Sequence, residues 1–572
     1  MADTEERTGR AKNRKERRQS LQVKKEDKRK RGPKKDDKKR KRTDSNEKDA
    51  GEKQAKSPKA LRIETAQEAK KLWEKLRNRK EKDKGSDTEL VAKIIDVLRG
   101  DLNGFSHRHD TARIVQWVLK CGNREQRSEV VQGLLPHVLP LSSDRYGRHV
   151  VMSALTKGRA SRGEVLAIYE RFRGNVYSMC KNNLSAEVLD MFYQMNTTSG
   201  QRKELCIELL HGKEGKLLSS FRQKKKMASS LEEVIAEAGP EFGKLLYDGT
   251  KTILIGFAEK ESTVRLQIVH DVLHYFLIYA CEHDKEGAAE MAALYAPVAV
   301  HLIHTKNGAA SFVACLKLLD AKNRKKLIKS VQEDIRKISE DPYGHLTIMA
   351  LYEHVDDTKL LQKAVLKPHI GKSDSEELST LLHRYSSLPL LNLLAPHEGR
   401  YFNPANYAFV WTGETKSVKD DSKRRQELVD FALPLLIESA QKNAVELLCD
   451  PAGSKILLEL VVKDSPLIEE SWKTEILSKV ADALTKEVEP SDGEADSSGT
   501  PQMLDSASAV RTAKYLIALT KDESYSLGDL IHARLKGNLD RLQNGKSDLI
   551  LKQMSKIEGS KYYKEALRAM ED

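Results

Sequence analysis

Two histidines four residues apart, His270 and His274 in "HDVLH", are the first residues whose spacing suggests chemistry. A helix would set both on one face, as in zinc peptidases. Asp271 stands where such a site carries its glutamate base, no third ligand follows at a useful spacing, and the flanks are continuously apolar. The pairs His107/His109 and His301/His304 lack cysteine or carboxylate companions. No phosphate-loop, dinucleotide or nucleophile-elbow glycine pattern occurs. The expectation is a non-enzyme with no metal and no cofactor.

Basic residues offer different chemistry. In "LSSDRYGRHVVMSALTKG", Leu141–Gly158, a turn at Asp144–Gly147 precedes a helix. Arg148, His149 and Met152 follow Gly147 by one, two and five residues, a spacing that groups them on one helix face. An arginine there can meet a phosphate, and a histidine can stack on a base. The candidates of this kind are Arg108, Arg113, Arg145, Arg148, His149 and Lys157. A second cluster, Arg222, Lys224, Lys225 and Lys226, falls between predicted helices. The densest basic run is "KRKRGPKKDDKKRKR", with Lys28, Arg29, Lys30, Arg31, Lys34, Lys35, Lys38, Lys39, Arg40, Lys41 and Arg42. Two clusters around a short spacer read as a nuclear or nucleolar address and a nonspecific nucleic-acid arm. For each of these residues the competing reading is a solvated surface charge.

The charge distribution supports that division. The 572-residue chain carries a net charge of +14. Residues 1–84 hold 33 Lys and Arg against 17 Asp and Glu, so the remainder is close to neutral. Residues 1–60 have almost no apolar side chains and cannot build a core, which predicts a disordered basic arm. The polar N-terminus predicts no secretory signal. The longest apolar run, "VLHYFLIYAC" from Val272, is about half of the ~20 residues a membrane span needs. The six cysteines form no C-x-x-C pair and sit in apolar helical patterns, so they are expected to be buried, reduced thiols.

The elements that must position these residues are helices. Ala66, Ala69, Leu72, Trp73 and Leu76 define one face of a predicted helix in "ETAQEAKKLWEKLRNRKEK" from Glu64. From Asp87 onward short apolar-periodic segments alternate with Gly, Pro, Asn or Asp, without hairpins. "TILIGF" from Thr252 is ambiguous. Residues 486–502, acidic and rich in Ser, Gly and Pro, predict a disordered loop.

These helices repeat. Thr111, Ser185, Gly308, Gly344 and Gly453 occupy the register of Gly147, most of them 36 to 38 residues apart. The pairs Ile114/Val118 and Val115/Leu119 match Val150/Ala154 and Val151/Leu155, then Val188/Phe192 and Leu189/Tyr193. Such a period predicts an all-α solenoid, in which each unit buries its apolar face only by stacking.

The period and the signature D-x-Y-G-x-x-V-V resemble Pumilio (PUF) repeats. The arm together with "RHDTARIVQWVLKCG", "SSDRYGRHVVMSAL", "LIHTKNGAASFVACLKLLDAKNRKKLIKS" and "LLNLLAPHEGRYFNP" resembles the nucleolar Pumilio-like group, the Penguin/Puf-A proteins, over residues 60–570. That resemblance implies roughly eleven Pumilio-like (PUF/armadillo-type) repeats in two arms: residues 61–362, then degenerate repeats over 363–572. It also implies a nucleolar protein that binds structured RNA or double-stranded DNA and acts in large-subunit ribosome assembly or in translational repression of mRNA.

Standard Pumilio repeats read one base with the first, second and fifth residues of the inner helix. Here these are Ala112/Arg113/Gln116, Arg148/His149/Met152, Ala186/Glu187/Asp190, Ala309/Ala310/Val313, His345/Leu346/Met349 and Ser454/Lys455/Leu458. Only the first set, with Gln116, resembles a base reader, so binding should rest on phosphates and shape. Tyr146 and Tyr343 are expected to pack on the neighbouring repeat. The expected partners are pre-rRNA or mRNA and pre-ribosomal proteins, with no membrane and a monomeric chain. The alternative is a protein-binding scaffold or transport factor of HEAT/armadillo type, in which the basic arm is only an address.

Overall fold

A computed structural model describes residues 58–78, 87–156, 159–212, 230–486, 504, 506–536, 538–543 and 546–571. The chain divides into two compact units, Met1–Leu61 and Arg62–Asp572. Every described element is helical, and the second unit is an all-α solenoid of Pumilio-like repeats. Among the described residues no helix is long and apolar enough to cross a membrane.

One helix of each repeat builds a ladder through the second unit. We label the helices used below α1 (Pro58–Arg77), α2 (His109–Cys121), α3 (Gly147–Leu155), α4 (Asn183–Met195), α5 (Gln267–His283) and α6 (Lys306–Leu318). They continue with α7 (Gly344–His354), α8 (Ser387–Leu394), α9 (Pro404–Trp411), α10 (Gly453–Val462), α11 (Ala507–Leu519) and α12 (Asp548–Met554). From α2 to α8 each packs on the next, α8 packs on α10, and α10 is followed by α11 and α12. The matched pairs Ile114/Val118, Val115/Leu119, Val188/Phe192 and Leu189/Tyr193 are buried at these junctions.

A shared local device sets the start of each ladder helix. Asp144 Oδ1 accepts from the backbone N–H of Tyr146 and Gly147. Asp341 does the same for Tyr343 and Gly344, and Asp450 for Ala452 and Gly453. Asn182 caps Leu184 and Ser185, and Thr305 caps Gly308. These oxygens satisfy donors that the first helical turn leaves open.

The glycine register has a steric cause. A Cβ at Gly308 would lie 1.9 Å from the carbonyl oxygen of Leu302, six residues earlier. At Gly344 the distance to Ile338 O would be 2.2 Å, and at Gly147 it would be 2.9 Å to Leu141 O. In two repeats the register holds a hydroxyl that hydrogen-bonds to the same carbonyl: Thr111 Oγ1 to Phe105 O at 2.6 Å and Ser185 Oγ to Met179 O at 3.0 Å. His270 Nε2 meets Val264 O at 2.7 Å in the same way, which makes α5 a ladder helix that the glycine spacing does not show.

The companion helices carry capping boxes at Asn123/Gln126, Ser161/Glu164 and Thr198/Gln201, again one period apart. Ties between repeats follow that period: Gln126 Nε2 donates to Thr88 O, and Glu208 accepts from the N–H groups of Gly174 and Val176.

Several expectations are corrected. The helix expected from Glu64 starts at Pro58 and ends at Arg77. "TILIGF" is the end of the helix Pro240–Ala258. Cys180, Cys206 and Cys315 are buried, but Cys121, Cys281 and Cys449 are only half-buried, and no described cysteine is in a disulfide. The arm expected over residues 1–60 lies outside the described residues up to 57, and the loop expected over 486–502 lies outside them from 487.

Candidate nucleic-acid interface

The second position of each ladder helix shows what the array presents. It holds Arg113 in α2 and His149 in α3, both exposed, and Lys455 in α10, which is half-buried. In α11 the cap from Ser506 to Ala509 N–H sets the same register, placing exposed Arg511 at the second position and Lys514 at the fifth. Between these ends the second position holds Glu187, Val272, Ala310, Leu346 and Leu388 in α4 to α8. Cations therefore cluster at two stations, α2–α3 and α10–α11, with acidic or apolar residues between.

At the first station Arg108 is exposed beside the start of α2. A cleft of about 330 Å³ opens there between α1 and α2, lined by Gln67, Lys70, Arg108 and His109. Lys70 Nζ lies 2.6 Å and His109 Nδ1 2.7 Å from opposite oxygens of Asp110. Those two hydrogen bonds hold the Asp110 carboxyl down at about 2. Two of the cleft's basic groups are thus occupied, whereas Arg108 and Arg113 form no ion pair among the described residues. Gln116, the expected edge reader, is half-buried.

Arg145 is exposed and lies over the ring of Tyr146, 5.5 Å from its centroid. Tyr146 packs edge-on against His109 of the preceding repeat at 5.5 Å, as expected. Tyr343, in the matching turn, is 38% exposed and makes no ring contact among the described residues. Arg148 does not point freely to solvent. Its Nη1 lies 2.7 Å from Glu187 Oε2 of the next repeat, while Nε is enclosed without a hydrogen-bond partner. Partial desolvation, and then the Arg148 cation, lower His149 below the usual histidine range. Its ring is therefore neutral at pH 7, suited to stacking more than to ion pairing.

The second station was not among the expected residues. Burial and the charge of Arg511 lower the Lys455 ammonium, and Asp450 only partly opposes them. Among the described residues neither Lys455 nor Arg511 is in an ion pair, and two cations near enough to repel each other suit an anion. Arg384 lies over Tyr385 at 4.9 Å, repeating the Arg145/Tyr146 arrangement. Here His383 replaces the capping aspartate, its Nδ1 accepting from Tyr385 and Ser386 N–H. The Arg-Tyr pair in "HRYSS" was the available signal for the turn that opens α8.

In α4, Asp190 is an internal cap rather than an open charge. Its Oδ1 accepts from Gln267 N–H at 2.8 Å. Burial, and also Asp271, push it up to about 6, against the pull of that N–H. His270 is committed on both ring nitrogens, to Val264 O and to Thr305 Oγ1. Among the described residues no group of three or more His, Cys, Asp or Glu could hold a metal. Lys157, the Arg222–Lys226 cluster and Lys28–Arg42 lie outside the described residues.

A solenoid with this register and two basic stations is a Pumilio-type repeat array. Residues 382–524 match the CPL (NUC119) domain family. Human Pumilio homolog 3 is 28% identical over 395 residues, covering 69% of this chain and 58% of its own length. Pumilio homolog 24 of Arabidopsis thaliana is 25% identical over 338 residues, 59% of this chain and 50% of its own. The chain thus spans less than two thirds of these relatives. The structure of human Puf-A superposes with a TM-score of 0.72 at 22% identity, over 89% of this chain and 96% of that one, which shows the shared fold. Puf-A in complex with DNA gives 0.71. The chain has the fold of a Pumilio-like repeat array and is similar to Pumilio homolog 3 and to Puf-A.

Proposed function

We propose that this protein is a nucleic-acid-binding solenoid that grips RNA, and tolerates DNA, by its phosphates rather than by base edges. One observation carries the reading: at both ends of the ladder the second position holds an arginine, a histidine or a lysine (Arg113, His149, Lys455 and Arg511). No asparagine occupies a first, second or fifth position in the aligned repeats, and the one glutamine, Gln116, is half-buried. Phosphate contacts position a strand without reading it. The complex of human Puf-A with DNA supports this choice of ligand class.

We further propose that the protein acts in the nucleolus, on precursor rRNA of the large subunit, with repression of an mRNA as a second outlet. Lys28–Arg42 is the proposed address, and residues 1–60 together with Lys157 and Arg222–Lys226 would add nonspecific attraction. The array would be divided at 362/363 into an N-terminal and a degenerate C-terminal set. No catalysis is needed for this role.

The test is fluorescence anisotropy with three unrelated RNAs over a salt series. Similar affinities that fall together with salt are expected. Salt-independent binding, or none, would favour the protein-binding scaffold instead. Crosslinking RNA to the protein in cells, and sequencing it, tests the rRNA assignment.

A further inference from the structure

The first, fifth and ninth residues of a ladder helix lie on one stripe, at i, i+4 and i+8. In α6 this stripe is Ala309, Val313 and Lys317, and in α7 it is His345, Met349 and Glu353. Ala309, Val313 and Met349 are 0–1% exposed. The stripe is buried because another part of the chain lies on it. Helix α9 packs on both α6 and α7.

The covering segment runs from His397 to Thr412. Its aromatic rings form one cluster: His397 stacks on Trp411 at 4.3 Å, Trp411 on Tyr407 at 5.8 Å, and Phe402 sits edge-on to both. The segment is fixed to the stripe along its length. Tyr407 meets His345 edge-on at 6.3 Å. Lys317 Nζ donates to Phe409 O at 2.7 Å and to Thr412 O. His354 Nε2 bonds to Val410 O at 2.7 Å. Glu353 accepts from Asn392 at 2.6 Å and pairs with His397 at 3.5 Å. Arg400 and Tyr401 reach Glu459 on α10. Loss of the strap would leave the Lys317 ammonium without its two carbonyl acceptors, while Glu353 would keep Asn392 and Arg425.

We infer that residues His397–Thr412 are a built-in occupant of the base-facing stripe of two consecutive repeats, so that RNA engages the α2–α3 and α10–α11 stations separately and is not threaded across α6–α7. This rests on the nucleic-acid reading above and sharpens it. A short strand fills one station, and a long or folded RNA is needed to engage both. The strap also gives a second reason for the lack of a base-by-base code: in these repeats the reading positions are filled before any ligand arrives.

The experiment photo-crosslinks a random-sequence 40-nucleotide RNA carrying 4-thiouridine to the full chain and maps the adducts. In parallel, hydroxyl-radical oxidation of Met349, Tyr407 and Trp411 is followed with and without that RNA. Adducts at α2–α3 and α10–α11, none at Val313, His345 or Met349, and oxidation unchanged within twofold are expected. Adducts on that stripe, or a severalfold rise in Trp411 and Met349 oxidation on RNA binding, would show that the strap leaves and would overturn the inference alone. RNA that binds with adducts at neither station, or does not bind, would overturn the nucleic-acid reading and the inference with it.

Discussion

Replacing Arg113 and Arg145 together by alanine isolates the phosphate contribution of the first station. Both side chains are exposed, and neither forms an ion pair among the described residues. The fold loses only the Arg145–Tyr146 ring contact, about 0.5–1 kcal/mol at an exposed site. For single strands each phosphate neutralised releases about 0.7 counterion. At 0.15 M salt that amounts to about 0.8 kcal/mol per contact, or about 1.6 kcal/mol for two. The expected result is affinity about 15-fold weaker at that salt. The slope of log affinity against log salt should become shallower by about 1.4. Unrelated RNAs should show the same loss, measured by anisotropy at four salt concentrations. An unchanged slope, or a loss confined to one RNA sequence, would refute the reasoning.

Five further outcomes are open to measurement. Glu187→Gln releases Arg148 and should tighten RNA binding severalfold with a steeper salt slope, whereas unchanged affinity would mean that Arg148 never reaches RNA. Gly308→Ala forces a Cβ onto Leu302 O and should cost at least about 1–3 kcal/mol in denaturant melts. Gly163→Ala, with nothing within 4 Å, should be neutral or stabilising by up to about 1 kcal/mol. Burial holds His345, His354 and His369 neutral, each at about 4. Since the unfolded chain binds their protons from about 6.5 downward, stability should be complete above that pH and fall as pH drops towards 4. A melting temperature flat from pH 7 to 4.5 would contradict this, and deleting residues 1–57 should reduce nucleolar retention while leaving the main melting transition in place.

The ladder was legible in sequence wherever its start is sterically fixed. Gly147, Gly308, Gly344 and Gly453 abut residues six positions earlier, so glycine marks the register. Thr111 and Ser185 could be aligned because a small hydroxyl solves the same problem locally. α5 and α11 escaped because His270 and Ala509 fill that position, and α8 because His383 stands where the other turns carry a capping aspartate; a histidine in an apolar helix suggested metal chemistry instead. The first station was legible as residue types, but the Arg148–Glu187 pair was not. The strap could not be read, because its contacts join residues far apart, such as Lys317 with Phe409 at a separation of 92 and His354 with Val410 at 56.

The central claim is that this array holds a backbone and does not read a base sequence. Selection of the full chain against a random RNA pool tests it most directly. The account predicts enrichment without a linear consensus, and affinities within about tenfold among the selected RNAs. A recurrent eight-base motif bound a thousandfold more tightly than scrambled controls would contradict it.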